Sequence, residues 1–131
     1  MKKVLFICVH NSCRSQIAEG FGRILGKGII EVQSGGTEKG SQVDPLAVKV
    51  MSEIGIDISN QTTKVVESWD WADRMIVMGC DAEDACPALI VPKLENWDLD
   101  NPKGKPIEEY RKVRDLIKEK VLALIEEEKK G

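Results

Sequence analysis

Hydrophobic positions along this chain follow two periods, and the switches between them mark its elements. Val4-Leu5-Phe6-Ile7 is a short unbroken apolar run, the pattern of a strand buried on both faces. After the polar stretch Cys8 to Arg14, Ile17, Ala18, Phe21, Ile24 and Leu25 recur at helical spacing and predict a helix over 15–25. Gly20 and Gly22 weaken that pattern, and Gly26 with Gly28 marks its stop. A second strand is predicted over 29–33, with a flexible loop from Gly35-Gly36 through Gly40. Asp44-Pro45 reads as a helix N-cap followed by proline at the first helical position. Leu46, Val50, Met51 and Ile54 supply that helix's apolar face, and Gly55 ends it. A short helix is predicted around 63–68, a third buried strand over 74–78, and a weaker fourth strand within 89–97. Ile107, Tyr110, Val113, Ile117, Val121 and Leu124 mark a long amphipathic closing helix. Its Glu126 to Lys130 tail is expected to fray into solvent.

Strand and helix alternate without an internal repeat or a low-complexity linker. That pattern implies one α/β domain over 1–131, with a mainly parallel sheet and helices on both faces. In such sheets ligands bind beyond the carboxyl ends of the strands. Cys8 and Cys80 each follow a predicted strand, which places them on the same rim.

Composition narrows the classes. The 42% apolar and 31% charged content over 131 residues is that of an ordinary soluble domain. No apolar run approaches the roughly 20 residues that span a bilayer. Val4 to Val9 after Lys2-Lys3 mimics the start of a signal peptide, but it is too short and lacks a cleavage site. A cytoplasmic location is therefore expected, with no membrane partner. A net charge of −3 argues against a nucleic-acid partner. Four cysteines kept reduced in that compartment point to catalytic, redox or metal chemistry rather than to a disulfide framework.

The segment Cys8-Val9-His10-Asn11-Ser12-Cys13-Arg14-Ser15 carries the clearest chemistry. A loop entering a helix N-terminus aims several backbone N–H groups at one point, and the helix dipole adds positive potential there. An oxyanion held by the amides of Val9 through Arg14 would also accept a bidentate pair from the Arg14 guanidinium. The same field favours Cys8 as a reactive thiolate, which a Ser15 hydroxyl can stabilise by hydrogen bonding.

These residues resemble the low-molecular-weight tyrosine phosphatase superfamily, whose signature Cys-x5-Arg-Ser is read here as CVHNSCRS. Within it, SCRSQIAEG, the SGG after the second strand, GIDIS and NWDLDNP are similar to the thioredoxin-coupled arsenate reductases. The resemblance spans nearly the whole chain and implies a four-stranded parallel sheet flanked by helices. It also implies arsenate as substrate, a thioredoxin-like reductant as partner, and no organic cofactor.

The resemblance gives Cys80 and Cys86 a part as well. The run from Gly79 to Pro87 is similar to the redox loop of those reductases, which phosphatases of this fold lack. Reducing As(V) takes two electrons, and a dithiol closing to a disulfide supplies two. The implied relay has Cys8 attack arsenate, Cys80 attack Cys8 and Cys86 attack Cys80, with Asp81, Glu83 and Asp84 keeping that loop soluble and mobile. Two competing readings remain: two buried cysteines filling a loop, and a zinc site using four cysteines and His10. The Cys-x4-Cys and Cys-x5-Cys spacings speak against zinc. Cys13 has a counterpart in both branches, where it supports the nucleophile without being required in the relay. The rivals are therefore a phosphatase using Cys8 and Arg14 alone and, in another class, a thiol sensor or metal-binding module.

The sequence departs from the family's pattern at several places. His10 stands where the family usually has glycine at a tight bend, and is expected at the surface. The acid position before the proline is Asn101, which cannot donate a proton as a carboxylic acid does. Asp100 is the adjacent candidate, with Asp98 and Asp100 as mere turn caps the alternative, so weak phosphomonoester hydrolysis is expected. Asn11, Glu19 and Ser34 match a monovalent-cation pocket behind the loop, but its Asp position is Lys64. The Lys64 ammonium would replace the ion or else project into solvent; no potassium requirement is expected. The Cys80–Cys86 spacing is one residue shorter than usual in the family.

Overall fold

Strand β1 (Lys2–Cys8) is buried from Val4 onward, as an apolar run with neighbours on both edges must be. The computed structural model describes residues 1–38, 40–67, 70–79 and 95–130. In it β1 pairs in parallel with β2 (Ile30–Gly36), Lys2 beside Ile30 through Cys8 beside Gly36. On its other edge Val4 to Ile7 pair in parallel with β3 (Arg74–Val77). A two-residue β4 (Glu95–Asn96) extends β3, giving a four-stranded parallel sheet in the order β2-β1-β3-β4.

Helices α1 (Arg14–Leu25), α2 (Pro45–Ser52) and α3 (Ile107–Lys130) pack against one another. They share one core with Val4, Phe6 and Cys8, the alternate residues of β1. The glycines that weaken the helical pattern of α1 are there for close approach. A Cβ at Gly20 would lie 2.7 Å from Ile58 Cγ2, and one at Gly22 would lie 2.8 Å from Val32 Cγ1. Asp44 caps α2 as expected, its carboxylate accepting from Leu46 N at 2.9 Å.

Three expectations need correction. Gly35-Gly36 belong to β2 rather than to a loop, because Gly36 is paired on both sides: it lies beside Cys8 of β1, and on its other edge its N–H donates to Lys64 O and its carbonyl accepts from Val66 N. For the same reason residues 63–67 form no helix; the segment is extended, and Val65 bridges Gly36 in parallel. Among the described residues it is this segment, with Val66 and Trp71 sharing a cleft with Leu5, that covers part of the face opposite the helices. The Glu126 to Lys130 tail does not fray. It stays helical because Arg74, on β3, bonds Glu127 and Glu128 at 3.0 and 2.9 Å as well as both Glu95 oxygens. The predicted strand within 89–97 appears as β4, and 89–94 lie outside the described residues. None of the described helices is long and apolar enough to cross a membrane.

Candidate active site

Cys8 is the last residue of β1, and Arg14 opens α1, so the intervening loop lies at the carboxyl edge of the central strand. The loop curls around a cleft of about 30 Å³, closed on its far side by Asn101 and Lys103. The carbonyls of the loop are tied to other segments and to the helix that follows. Val9 O accepts from Glu38 N at 2.9 Å, Ser12 O from Asp44 N at 2.7 Å, and Asn11 O from Gln16 Nε2 at 2.8 Å. A trans peptide holds each carbonyl antiparallel to the following N–H, so the amides of His10, Ser12 and Cys13 face the cleft. Cys13, the N-cap of α1, offers no side-chain bond to the helix, which leaves its first amides for an anion.

Below the cleft, one hydrogen-bond chain fixes its own polarity. The Lys64 backbone N–H can only donate, so Asn11 Oδ1, 3.1 Å away, is the acceptor. Asn11 Nδ2 is therefore the donor to Ser15 Oγ at 2.7 Å. That leaves the Ser15 hydroxyl proton for Cys8 Sγ at 2.8 Å. Asn11 and Ser15 are fully buried, so no water competes for these bonds. In this arrangement the Cys8 sulfur is the terminal acceptor of the chain. Asn11 adopts a left-handed φ of 53° to make these contacts, so the tight bend sits there and not at His10. His10 is half-exposed, with Nε2 3.2 Å from Glu38 Oε2.

Arg14 is buried, and its Nη1 donates to Leu99 O at 2.7 Å. Gly79 makes room for it: a Cβ there would lie 2.6 Å from both Nη1 and Leu99 O. Cys13 is buried beside Cys8. Burial first, then the charges of Asp44 and Cys8, push its thiol far above the usual range, so it stays protonated and non-nucleophilic.

Behind the loop, Ser34 Oγ donates to the buried Glu19 carboxylate at 2.7 Å. The Lys64 ammonium stands 3.4 Å from Glu19 Oε1, Ser34 Oγ and Thr62 O. These contacts are long for hydrogen bonds, so the attraction is mainly coulombic. The four residues Asn11, Glu19, Ser34 and Lys64 are thus gathered in one place.

Across the cleft, Asn101 Oδ1 accepts from Lys103 N at 3.1 Å, and Asp100 is exposed. Asn101, not Asp100, lines the cleft. Cys80 and Cys86 lie outside the described residues, as do Asp81, Glu83 and Asp84. Three residues escaped sequence reasoning. Gln16 and Gln61 buttress the loop from below, Gln61 Nε2 reaching Gln16 Oε1 at 2.8 Å, and no sequence pattern marks a glutamine as buried. Lys103 stands two residues beyond the acid position, which was the signal available for it.

The sequence model of the low molecular weight phosphotyrosine protein phosphatases matches residues 3–131. The chain belongs to this family. Within the family it is similar to the glutaredoxin arsenate reductase of Synechocystis sp., at 44% identity over 95% of this chain and 97% of that protein. It is 42% identical to arsenate reductase 2 of Staphylococcus haemolyticus, over 89% and 91% of the two chains. A solved arsenate reductase in its phosphate-binding state superposes with a TM-score of 0.84 at 43% identity, covering 97% of this chain and 98% of the other.

Proposed function

We propose that the protein reduces arsenate to arsenite through three of its cysteines. The observation that carries this reading is Cys8 Sγ, held 2.8 Å from Ser15 Oγ at the floor of a cleft shared with Arg14, in a chain so similar to arsenate reductases. The Cys8 thiolate attacks arsenic, forming an S–As(V) bond as one oxygen leaves as water or hydroxide. Arg14 and the loop amides stabilise the oxyanion during this step. The Cys80 thiolate then attacks Cys8 sulfur. The S–As bond breaks with its electron pair passing to arsenic, arsenite leaves, and a Cys8–Cys80 disulfide forms. Cys86 next attacks Cys80, releasing the Cys8 thiolate and leaving a Cys80–Cys86 disulfide for an external dithiol. Two thiols are oxidised and As(V) becomes As(III), so the electrons balance.

The donor is a thioredoxin-like protein in this reading. The name of the Synechocystis relative makes a glutaredoxin the specific competitor. The second reading, a phosphatase using Cys8 and Arg14, is favoured by the family but opposed by Asn101 at the acid position. With Asp100 the adjacent acid in place of a carboxyl at position 101, phosphatase activity is weak. Lys64 serves in place of a monovalent cation behind the loop.

The test is a single turnover of fully reduced protein with arsenate and no external reductant. Loss of two thiols, arsenite formation and a bridge involving Cys80 in peptide mass mapping are expected. Retention of all thiols would overturn the reductase reading and leave the phosphatase. Multiple turnover of Cys86→Ser with thioredoxin would remove the third step. Turnover with glutaredoxin and glutathione but not with thioredoxin would reassign the donor.

A further inference from the structure

Lys103 lines the cleft together with Cys8 and Arg14, and neither the buried hydrogen-bond chain nor the thiol relay uses it. Building on the oxyanion reading above, we propose that Lys103 is the second cation of the site. It is a specificity-determining residue that pairs with the outward oxygen of a small inorganic dianion. Its backbone is fixed: Lys103 N donates to Asn101 Oδ1, Lys105 N donates to Pro102 O at 2.9 Å, and Gly104 takes a left-handed φ of 84°. That turn holds the Lys103 Cα at the rim, while the side chain is exposed and free to reach inward.

Lys103 also borders the two shallower depressions on the open side of the cleft, one beside Ser12 and Gly40 and one beside Asp44 and Tyr110. An anion arriving by either route passes this residue. Asp44, the carboxylate that shares the second depression with Lys103, is already engaged by Tyr110 Oη at 2.6 Å and by Leu46 N, which limits its competition for the ammonium.

Charge counting and reaction geometry then agree. Arg14 supplies one full positive charge inside the cleft, against the two negative charges of a dianion. In-line attack by Cys8 turns one substrate oxygen directly away from the sulfur, toward the mouth. In an inorganic oxyanion that oxygen carries charge or a proton and meets Lys103. In an ester it carries an organic group and offers the ammonium little. A cation at this position therefore selects free oxyanions over esters, and Asn101 beside it adds no carboxylate to repel them.

Protection of Cys8 from iodoacetamide, read by peptide mass, measures binding without any redox step. Inorganic phosphate and phenyl phosphate are the probes. Wild-type protein is expected to be protected by phosphate. Lys103→Gln should need about fivefold to tenfold more phosphate, as for loss of one unit charge at a partly exposed site. For phenyl phosphate the change should stay within about twofold, because its outward oxygen carries no charge for the ammonium to meet. Lys103→Arg should restore phosphate binding, and added salt should weaken wild-type protection more than that of Lys103→Gln. Equal protection of Lys103→Gln and wild type by phosphate would overturn the proposal. So would an equal loss for both probes, or failure of arginine to rescue. Absence of protection in the wild type itself would instead overturn the oxyanion reading on which the proposal rests.

Discussion

The two loops that face each other across the cleft are built in opposite ways. The Cys8–Arg14 loop is buried and pinned from a distance: Glu38, Asp44, Lys64 and Leu99 all bond it, the last from 85 positions away. The 96–104 loop is largely exposed: Trp97 and Leu99 anchor it to Val77 O, Met78 O and Arg14, and its two turns are pinned from within. Asn96 Oδ1 accepts from Asp98 N and Asn101 Oδ1 from Lys103 N, each two residues on, while Asp98 and Gly104 adopt left-handed angles. Long-range bonds in a dry interior fix geometry to the precision a nucleophile needs, and they make every member costly to remove. Local Asx turns fix only the course of the chain and leave side chains free to change. The first loop should therefore resist substitution, and the second should accept new chemistry.

The largest expected effect comes from breaking the first loop. Asn11→Ala strands the Lys64 N–H, removes the donor to Ser15 Oγ and one acceptor of the Gln16 amide, and forces alanine into a left-handed angle. Stability should fall by about 3 to 5 kcal/mol in urea denaturation, and alkylation of Cys8 at neutral pH should slow at least about tenfold. Asn11→Gly separates the two causes. It takes the angle freely, so it should recover about 1 kcal/mol of stability and none of the reactivity. Equal stability of the two variants would mean that the left-handed angle costs nothing here.

The second loop is tested by a gain. Asn101→Asp keeps an oxygen for the Lys103 N–H and adds a carboxyl facing the cleft. Hydrolysis of p-nitrophenyl phosphate is expected to rise by about tenfold to a hundredfold, with stability unchanged within about 0.5 kcal/mol. An unchanged rate would show that residue 101 does not point at the leaving oxygen, and that Asp100 already serves whatever acid role exists.

This contrast also explains what the sequence made legible. β1 and β3 could be read because strands buried on both faces must be continuously apolar. The Cys8–Ser15 chemistry could be read because its parts are contiguous. What supports that chemistry could not. Gln61, Thr62 and Lys64 reach the loop from 45 to 53 positions away, two of them through backbone atoms that carry no residue signature. Gly35-Gly36 and the following segment were misread for a related reason. Glycine signals a loop unless something approaches closely, and here Val66 Cγ2 would lie 2.7 Å from a Cβ at Gly35.

Smaller effects lie at the junction between the regions. Tyr110, the chain's single tyrosine, ties α3 to Asp44, whose N–H holds Ser12 O. Burial, and then the bond to Asp44, push its hydroxyl well above the usual tyrosine range. A folded value raised this way contributes stability that is complete below the unfolded tyrosine's value near pH 10, and it is lost as pH rises through the folded value. Tyr110→Phe should therefore cost about 1 kcal/mol at neutral pH, and the cost should shrink above about pH 10. A cost constant with pH would assign the loss to packing instead of to the hydroxyl.

The smallest expected effect is an indifference. If the Lys64 ammonium does the work of a bound cation beside Glu19 and Ser34, exchanging sodium for potassium should move the melting temperature of the wild type by less than about 1 °C. Lys64→Asp inverts the charge beside the buried Glu19 carboxylate while leaving the Lys64 backbone bond to Asn11 available to the new residue. That variant should melt lower in sodium and recover with potassium, by about 1.4 kcal/mol when the ion stands at ten times its dissociation constant. Recovery would mean that the scaffold behind the loop demands a positive charge and is indifferent to whether an ion or a side chain supplies it. Equal recovery of wild type and variant would mean that potassium acts elsewhere and that Lys64 is only a surface charge. Loss of stability in Lys64→Asp with no rescue by either ion would mean that the pocket is shaped around the ammonium and cannot coordinate a metal at all.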